Sequence, residues 1–244
     1  MADADEVLSA KGVTKRFSNF VAVDRVDFSV SRNEAVGIVG PNGAGKTTLL
    51  NLLAGTYPLS AGSVCVEGVD VSHTDAATRC RMGVGRSHQV PRPFVDMTVF
   101  ENVFVAASFG HRRTRAEAYD ASIASLELCG MLSTANRTAA TLGLLDRKRL
   151  ELARALATNP KALLLDEIGA GLTDAEASEL VAIIHKLRTT GIAIVWIEHI
   201  LHVLLQVIDR LVCMDSGVVI AQGDPKEALA HPAVIEAYLG SGVA

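Results

Sequence analysis

Aromatic residues are scarce, at 5% of the 244-residue chain, and there is no cationic excess: 23 Lys and Arg stand against 27 Asp and Glu, a formal net charge of −4. The missing basic excess excludes a protein that draws its affinity from neutralising nucleic-acid phosphates. Only four cysteines occur (Cys65, Cys80, Cys129, Cys213), far apart, with no C-x-x-C and no histidine at ligand spacing. That excludes a zinc module or disulfide framework and fits reduced structural thiols. The longest apolar stretches, such as Ile192 to Ile197, are far too short to span a bilayer. The opening MADADEVLSAKG is acidic and polar, unlike a signal or transit peptide. A role at a membrane would therefore need other chains to hold this one there. Internal repeats, heptads and low-complexity tracts are lacking too.

What is present is 49% hydrophobic, rich in Ala, Val and Leu. This suits an α/β protein whose strands are buried on both faces, and the length suits one large domain or a domain with an inserted lobe. Residues Val7 to Val30 alternate around the turn-like Ser18-Asn19 and predict an antiparallel hairpin. Ser63 to Val71 predicts a second strand pair turning at Glu67-Gly68. Glu34 to Val39 predicts a buried strand, followed by a glycine-rich turn and a helix over Thr47 to Ala54. After the break at Pro91-Arg92-Pro93 come helical patterns at Val99 to Ala107, Thr114 to Cys129 and Arg147 to Ala157. Strands at Ala162 to Leu165 and Ile192 to Ile197 then alternate with helices at Asp174 to Thr190 and His199 to Val207. A hairpin over Arg210 to Gln222 and two short helices follow. Such alternation implies a mostly parallel sheet covered by helices. The expected organisation is one domain over 1–244, with an α/β core at 1–89 and 160–244 and a helical insertion at 90–159.

Two segments carry chemistry. Gly40-Pro41-Asn42-Gly43-Ala44-Gly45-Lys46-Thr47-Thr48 matches G-x-x-x-x-G-K-[ST] between a buried strand and a helix. Its glycines let the backbone curl so that successive N–H groups meet phosphate oxygens, with the positive helix end behind them. Lys46 is suited to neutralise the β- and γ-phosphates, and the Thr47 hydroxyl to ligate Mg²⁺. Leu163-Leu164-Leu165-Asp166-Glu167 ends the next apolar strand in carboxylates, at the end of the sheet where ligands bind. Asp166 is suited to hold the metal, and Glu167 to polarise an attacking water as general base.

With these motifs the sequence resembles the ATP-binding subunits of ABC transporters, over essentially the whole chain. The resemblance implies a P-loop NTPase (RecA-like) α/β core with an antiparallel β-subdomain and an inserted all-helical subdomain, using Mg-ATP. Phe17, in Lys15-Arg16-Phe17, falls at the family's adenine-stacking position, ahead of the nearby Phe20. Gln89, in Arg86-Ser87-His88-Gln89, matches the glutamine that reaches the metal and water, and His88 is taken as packing variation beside it. His199, in Ile197-Glu198-His199, matches the histidine that contacts the γ-phosphate. The family signature L-S-G-G-Q is replaced by Leu142-Gly143-Leu144-Leu145-Asp146. The serine and both inner glycines that serve the nucleotide of a partner cassette are thus missing. Ile168 replaces the usual proline after the catalytic glutamate, and Thr173 replaces an aspartate.

Arg86-x-x-Gln89, Met97-Thr-Val-x-Glu101-Asn102, Ala170-Gly171-Leu172 and the tail Gly223-Asp-Pro225 to Tyr238-Leu-Gly240 narrow the resemblance. They point to the branched-chain amino-acid uptake group, whose members extend to other amides and organic acids. The implied partners are a second cassette, identical or a paralogue with the paralogue favoured by the altered signature, transmembrane permease subunits and, indirectly, an extracytoplasmic binding protein. The implied location is the cytoplasmic face of the membrane. Rival readings are an ABC ATPase with a soluble task, a regulatory cassette with little turnover, and a small-molecule P-loop kinase. The first would need coiled-coil insertions or two cassettes in one chain, and the third would not need Gln89 and His199.

Overall fold

Strict alternation of side chains through four short strands decides the layering. In β3 (Ala35–Val39), β7 (Ala162–Asp166), β8 (Ala193–Ile197) and β9 (Arg210–Asp215), nearly every residue is buried, and neighbours point to opposite faces. Leu163, Leu165, Ile194, Trp196, Leu211 and Cys213 enter one core; Leu164, Val195, Ile197, Val212 and Met214 enter the other. The computed structural model describes residues 5–111 and 113–240. The first four residues of the polar opening segment, and the ends of the expected 1–244 span, lie outside the described residues.

The strands join β6 (Val84–Arg86) and β10 (Val218–Gly223) in a six-stranded sheet of order β10-β9-β3-β8-β7-β6, parallel except for the β9–β10 hairpin. A second, antiparallel sheet has the order β2-β1-β4-β5, from β1 (Glu6–Phe17), β2 (Phe20–Ser31), β4 (Ala61–Val66) and β5 (Val69–Asp70). With α1 (Lys46–Leu53) it covers one face of the large sheet. The helices α3 (Val99–Gly110), α4 (Arg115–Leu128), α5 (Leu144–Ala157) and α6 (Asp174–Arg188) share a core with the opposite face.

All three predicted hairpins form, turning at Ser18-Asn19, at Glu67-Gly68 and at Ser216-Gly217. Helix ends follow local chemistry. Thr98, Thr114 and Thr173 each start a helix with a reciprocal capping box to Glu101, Glu117 and Glu176. Thr173, a departure from the family pattern, therefore caps α6 in its own right. Some elements differ from the periodicity. Helix α5 begins at Leu144, three residues before the predicted Arg147, because Gly143 takes an extended conformation at the N-cap and Leu144 already belongs to the first turn. Helix α7 (Leu201–Leu204) is a single turn within the predicted 199–207 span. Helix α2 (Ala76–Arg81), capped by Asp75, and strand β6 have no counterpart in the sequence pattern, being six and three residues long. The short C-terminal helices are α8 (Pro225–Leu229) and α9 (Pro232–Gly240).

All four cysteines are free. Burial pushes the Cys129 thiol up to about 12 and that of Cys213 to about 11, which makes them poor nucleophiles.

Candidate functional site

Four neighbouring parallel strands, β3, β8, β7 and β6, end side by side, and each delivers one part of the site. Strand β3 runs into the glycine-rich loop 40–45. Gly45 caps α1 with φ 96°, and a Cβ there would lie 2.4 Å from the Ala22 carbonyl oxygen, so only glycine fits. Lys46 opens the helix and is nearly buried. Its ammonium donates to the carbonyl oxygens of Gly40 at 2.7 Å and Pro41 at 3.0 Å, holding it against the loop. Burial pulls its pKa below the ordinary lysine value, and the charges of Glu167 and Asp166 oppose that shift.

Strand β7 ends at Asp166, buried beside Thr47. The Thr47 hydroxyl lies 3.4 Å from Asp166 Oδ1, and Arg86 Nη2 donates to Asp166 Oδ2 at 3.2 Å. Burial pushes the Asp166 carboxyl above its ordinary value, and Arg86 works against this. A hydroxyl and a carboxylate oxygen facing each other suit a small hard cation that keeps phosphate and water as its other ligands. The pair fits Mg²⁺ held jointly with a nucleotide. Among the described residues there is no group of three or more His, Cys, Asp or Glu that could hold a metal ion.

Glu167 follows with φ 47°, a left-handed conformation unusual for a non-glycine residue and of the kind found at functional sites. Its carboxylate receives Gln89 Nε2 at 2.5 Å on Oε2 and lies 2.9 Å from His199 Nε2 on Oε1. Gln89 comes from the loop after β6 and His199 from the segment after β8. Three predicted residues, far apart in the chain, thus meet at one carboxylate. Phe17 is half-exposed at the end of β1, edge-on to Tyr57 with ring centroids 5.6 Å apart and with Lys15 Nζ 5.0 Å from its own centroid. Such a ring offers a base a flat apolar face.

Several participants escape sequence reasoning. His88, taken as packing variation, instead lies with Nδ1 3.0 Å from Glu151 Oε1 on α5, a polar link between the Gln89 loop and the helical region. Tyr57 packs edge to face with Phe17. Glu198 is buried and accepts from the N–H groups of Gly169 at 2.6 Å and His199 at 3.2 Å, fixing both loops that flank Glu167. Burial pushes its carboxyl up despite those bonds. Lys148, buried on α5, points at the Glu167 carbonyl with Nζ 3.5 Å away. Burial lowers its pKa, against the pull of Glu198 and Glu167. Arg86 and Asn51 form the network developed below. Arg86, His88 and Glu198 left a trace in the sequence, inside motif strings that gave them no catalytic role.

At the altered signature, Gly143 caps α5 without a side-chain hydrogen bond, and Arg147 folds back onto the carbonyl oxygens of Leu142 at 2.9 Å and Ala140 at 3.2 Å. The first turn presents backbone N–H groups and the exposed Leu144. Leu144 approaches Gly171 in the loop after Glu167.

A phosphate loop between strand and helix, flanked by an Asp-Glu strand end and a histidine just after the next strand, defines a nucleotide-hydrolysing P-loop domain. The ABC transporter family profile matches residues 23–170, and the chain belongs to that family as an ATP-binding cassette. A second profile, the branched-chain amino acid ATP-binding cassette transporter, matches residues 218–244. The high-affinity branched-chain amino acid transport ATP-binding protein LivG of Escherichia coli K12 is 36% identical, the alignment covering 96% of this chain and 98% of LivG. BraF of Pseudomonas aeruginosa, described in the same words, is 35% identical with the same coverage. Among solved structures, a nucleotide-free ATP-binding cassette from an ABC transporter superposes with a TM-score of 0.87 at 30% identity, over 96% of this chain and 98% of that one. The ADP conformation of another ABC cassette gives 0.86 at 31% identity, over 96% and 99%. As an ABC ATPase the chain binds and hydrolyses ATP, and cassettes of this family work as dimers with transmembrane permease subunits. Among the described residues no helix is long and apolar enough to cross a membrane.

Proposed function

We propose that this cassette powers uptake of branched-chain amino acids or a related small amide or organic acid. It would sit at the cytoplasmic face of the membrane beneath two permease subunits that receive substrate from an extracytoplasmic binding protein. The observation that carries the catalytic part is the convergence of Gln89 and His199 on Glu167, beside the loop that holds Lys46. In this reading Phe17 stacks on adenine, and the backbone from Gly40 to Thr48, through Pro41, Asn42, Gly43, Ala44 and Gly45, cradles the phosphates. Lys46 neutralises the β- and γ-phosphates. Thr47, Asp166 and Gln89 would hold Mg²⁺, which would supply charge neutralisation on the phosphates when bound. Glu167 takes a proton from the attacking water, and His199 contacts the γ-phosphate and orients Glu167.

The substrate class is supported by the relatives' descriptions and by the C-terminal match over 218–244. Contact with the permease falls to the helical region at 90–159, where Val90, Phe94, Val95 and Met97 are exposed apolar residues next to Gln89. The working pair is a heterodimer. The signature segment of this chain offers only backbone N–H groups at Gly143 to Leu145, so a paralogue carrying serine and glycines would complete the site built on this chain's Lys46, Asp166, Glu167 and His199. Vesicles holding the two permeases, both cassettes and the binding protein should accumulate labelled leucine only with ATP. Substrate-stimulated ATPase without accumulation of any branched-chain amino acid would remove the substrate assignment. Equal loss of activity on mutating either cassette's glutamate would remove the asymmetry.

A further inference from the structure

We propose that Arg86 is a positioning residue for the metal-binding carboxylate, acting through a closed ring of four residues. The proposal rests on the reading of Thr47 and Asp166 as Mg²⁺ ligands. The ring is complete in the structure. Arg86 Nη2 donates to Asp166 Oδ2 at 3.2 Å, and Arg86 Nη1 donates to Asn51 Oδ1 at 2.6 Å. Asn51 Nδ2 donates to the Thr47 carbonyl oxygen at 2.7 Å, and the Thr47 hydroxyl returns to Asp166 Oδ1 at 3.4 Å. Nη1 also reaches Thr56 Oγ1 at 3.1 Å, which fixes the far side of the fork. Three elements are joined: α1, which begins with Lys46 and Thr47; β7, which ends in Asp166; and β6, which ends in Arg86 itself.

The two carboxylate oxygens have separate surroundings. Oδ1 faces the Thr47 hydroxyl, where the metal would be held, and Oδ2 is engaged by Arg86. Rotation about the last bond of an aspartate is soft, so an unheld carboxylate samples many orientations. A guanidinium fork bound on both prongs removes that freedom, as partners of ligating carboxylates do at metal sites. A bare ion pair, or a cation competing with the metal for Asp166, is the alternative. Competition would place Arg86 on Oδ1, whereas it occupies the opposite oxygen. Arg86 also precedes Gln89 by three residues, so the same ring anchors the start of the segment that reaches Glu167.

Charge and geometry separate in Arg86→Lys, which keeps the cation but cannot hold Asp166, Asn51 and Thr56 in one plane. The experiment titrates Mg²⁺ into the full chain with a fluorescent, non-hydrolysable ATP analogue, after measuring the analogue's Kd in EDTA. For Arg86→Lys the Kd in EDTA should stay within about twofold, and the Mg²⁺ midpoint should rise about 10- to 100-fold, the range for such partners. Asn51→Ala, which breaks the ring without touching Asp166, should move the midpoint in the same direction. An unchanged or lowered midpoint in Arg86→Lys overturns the proposal. Should that variant fail to fold by circular dichroism, an unchanged midpoint in Asn51→Ala does so. Asp166→Asn serves as the reference. If it raises the midpoint while the ring variants do not, only the role of Arg86 fails; if it too leaves the midpoint unmoved, the metal reading of Asp166 falls with it.

Discussion

Glu167→Gln exchanges one carboxylate oxygen for an amide nitrogen at the point where Gln89 and His199 meet. The amide oxygen can still accept from Gln89 Nε2, at 2.5 Å in the native chain, and the new NH₂ can donate to an unprotonated His199 Nε2 where Oε1 now stands at 2.9 Å. Both contacts survive with reversed polarity at one of them, so the shape of the site is kept. Removing an anion near the phosphates also relieves repulsion, so nucleotide affinity should not fall. What disappears is the group able to take a proton from water. A positioned general base contributes about 10²- to 10⁴-fold, or about 2.7 to 5.4 kcal/mol of barrier. Turnover should drop by that factor, while the closed, nucleotide-bound dimer accumulates because its opening follows hydrolysis. Calorimetry gives the affinity, and phosphate release in a single-turnover experiment on the assembled transporter gives the rate. A loss smaller than about tenfold would assign the base elsewhere. A collapse of affinity would instead mean that Glu167 mainly supports the loop structure.

Lys46→Ala should weaken ATP binding about 10-fold or more by calorimetry, since charge-assisted hydrogen bonds each contribute about 1.5–3 kcal/mol; an unchanged Kd removes Lys46 from the phosphate site. Gly45→Ala should abolish nucleotide binding, because its Cβ would sit 2.4 Å from the Ala22 carbonyl in a backbone at φ 96°. Gly43→Ala, at φ 83° but with no atom within 4 Å of the added carbon, should cost only about 1–2 kcal/mol of backbone strain. Equal effects in binding assays would contradict this steric reading. Glu198 provides a test by pH. Its folded carboxyl titrates above the ordinary 4.5, so the folded chain keeps a proton that the unfolded chain releases in between. That contribution is fully present below 4.5 and is lost as pH rises through the folded value. The urea-unfolding free energy of the wild type minus that of Glu198→Gln should therefore decline as pH rises above 4.5. A flat or rising difference rejects the burial-driven shift.

Most of the fold was legible because the strands are short, apolar and punctuated. The residues from Ala162 to Asp166 and from Ala193 to Ile197 are buried without exception, and such runs announce central parallel strands. The hairpins announced themselves through alternation and turn residues. Pattern failed where an element was too short to have a period, as in β6 and α2. The site followed the same division. Residues inside spaced motifs, Lys46, Thr47, Asp166 and Glu167, could be named from chemistry. Gln89, His199 and Phe17 needed the family resemblance, since a lone Gln, His or Phe carries no spacing signal. Asn51, Tyr57 and Lys148 were silent, and Arg86 had no role, because the partners that matter are remote: Arg86 lies 35 residues from Asn51 and 80 from Asp166, and Lys148 lies 19 from Glu167, so only the closed geometry brings them together.

The signature shows why side-chain identity and backbone geometry must be weighed separately. By sequence, Leu142 to Asp146 has lost the hydroxyl and the inner glycines that serve a partner's nucleotide. By structure, the segment still ends in a helix N-terminus, capped at Gly143 by backbone alone and leading into a buried α5. An N-terminal turn attracts an anion through its N–H groups whatever side chains it carries. The retained geometry therefore preserves the charge complementarity of the segment, while Asp146 in the first turn opposes it at a γ-phosphate. The same helix sends Lys148 to the carbonyl of Glu167, so the turn proposed to face a partner's nucleotide and the residue proposed to activate water are tied to one rigid element. In the proposed pair the altered signature would weaken the partner's site more than the chain's own, which is the physical argument for proposing a heterodimer.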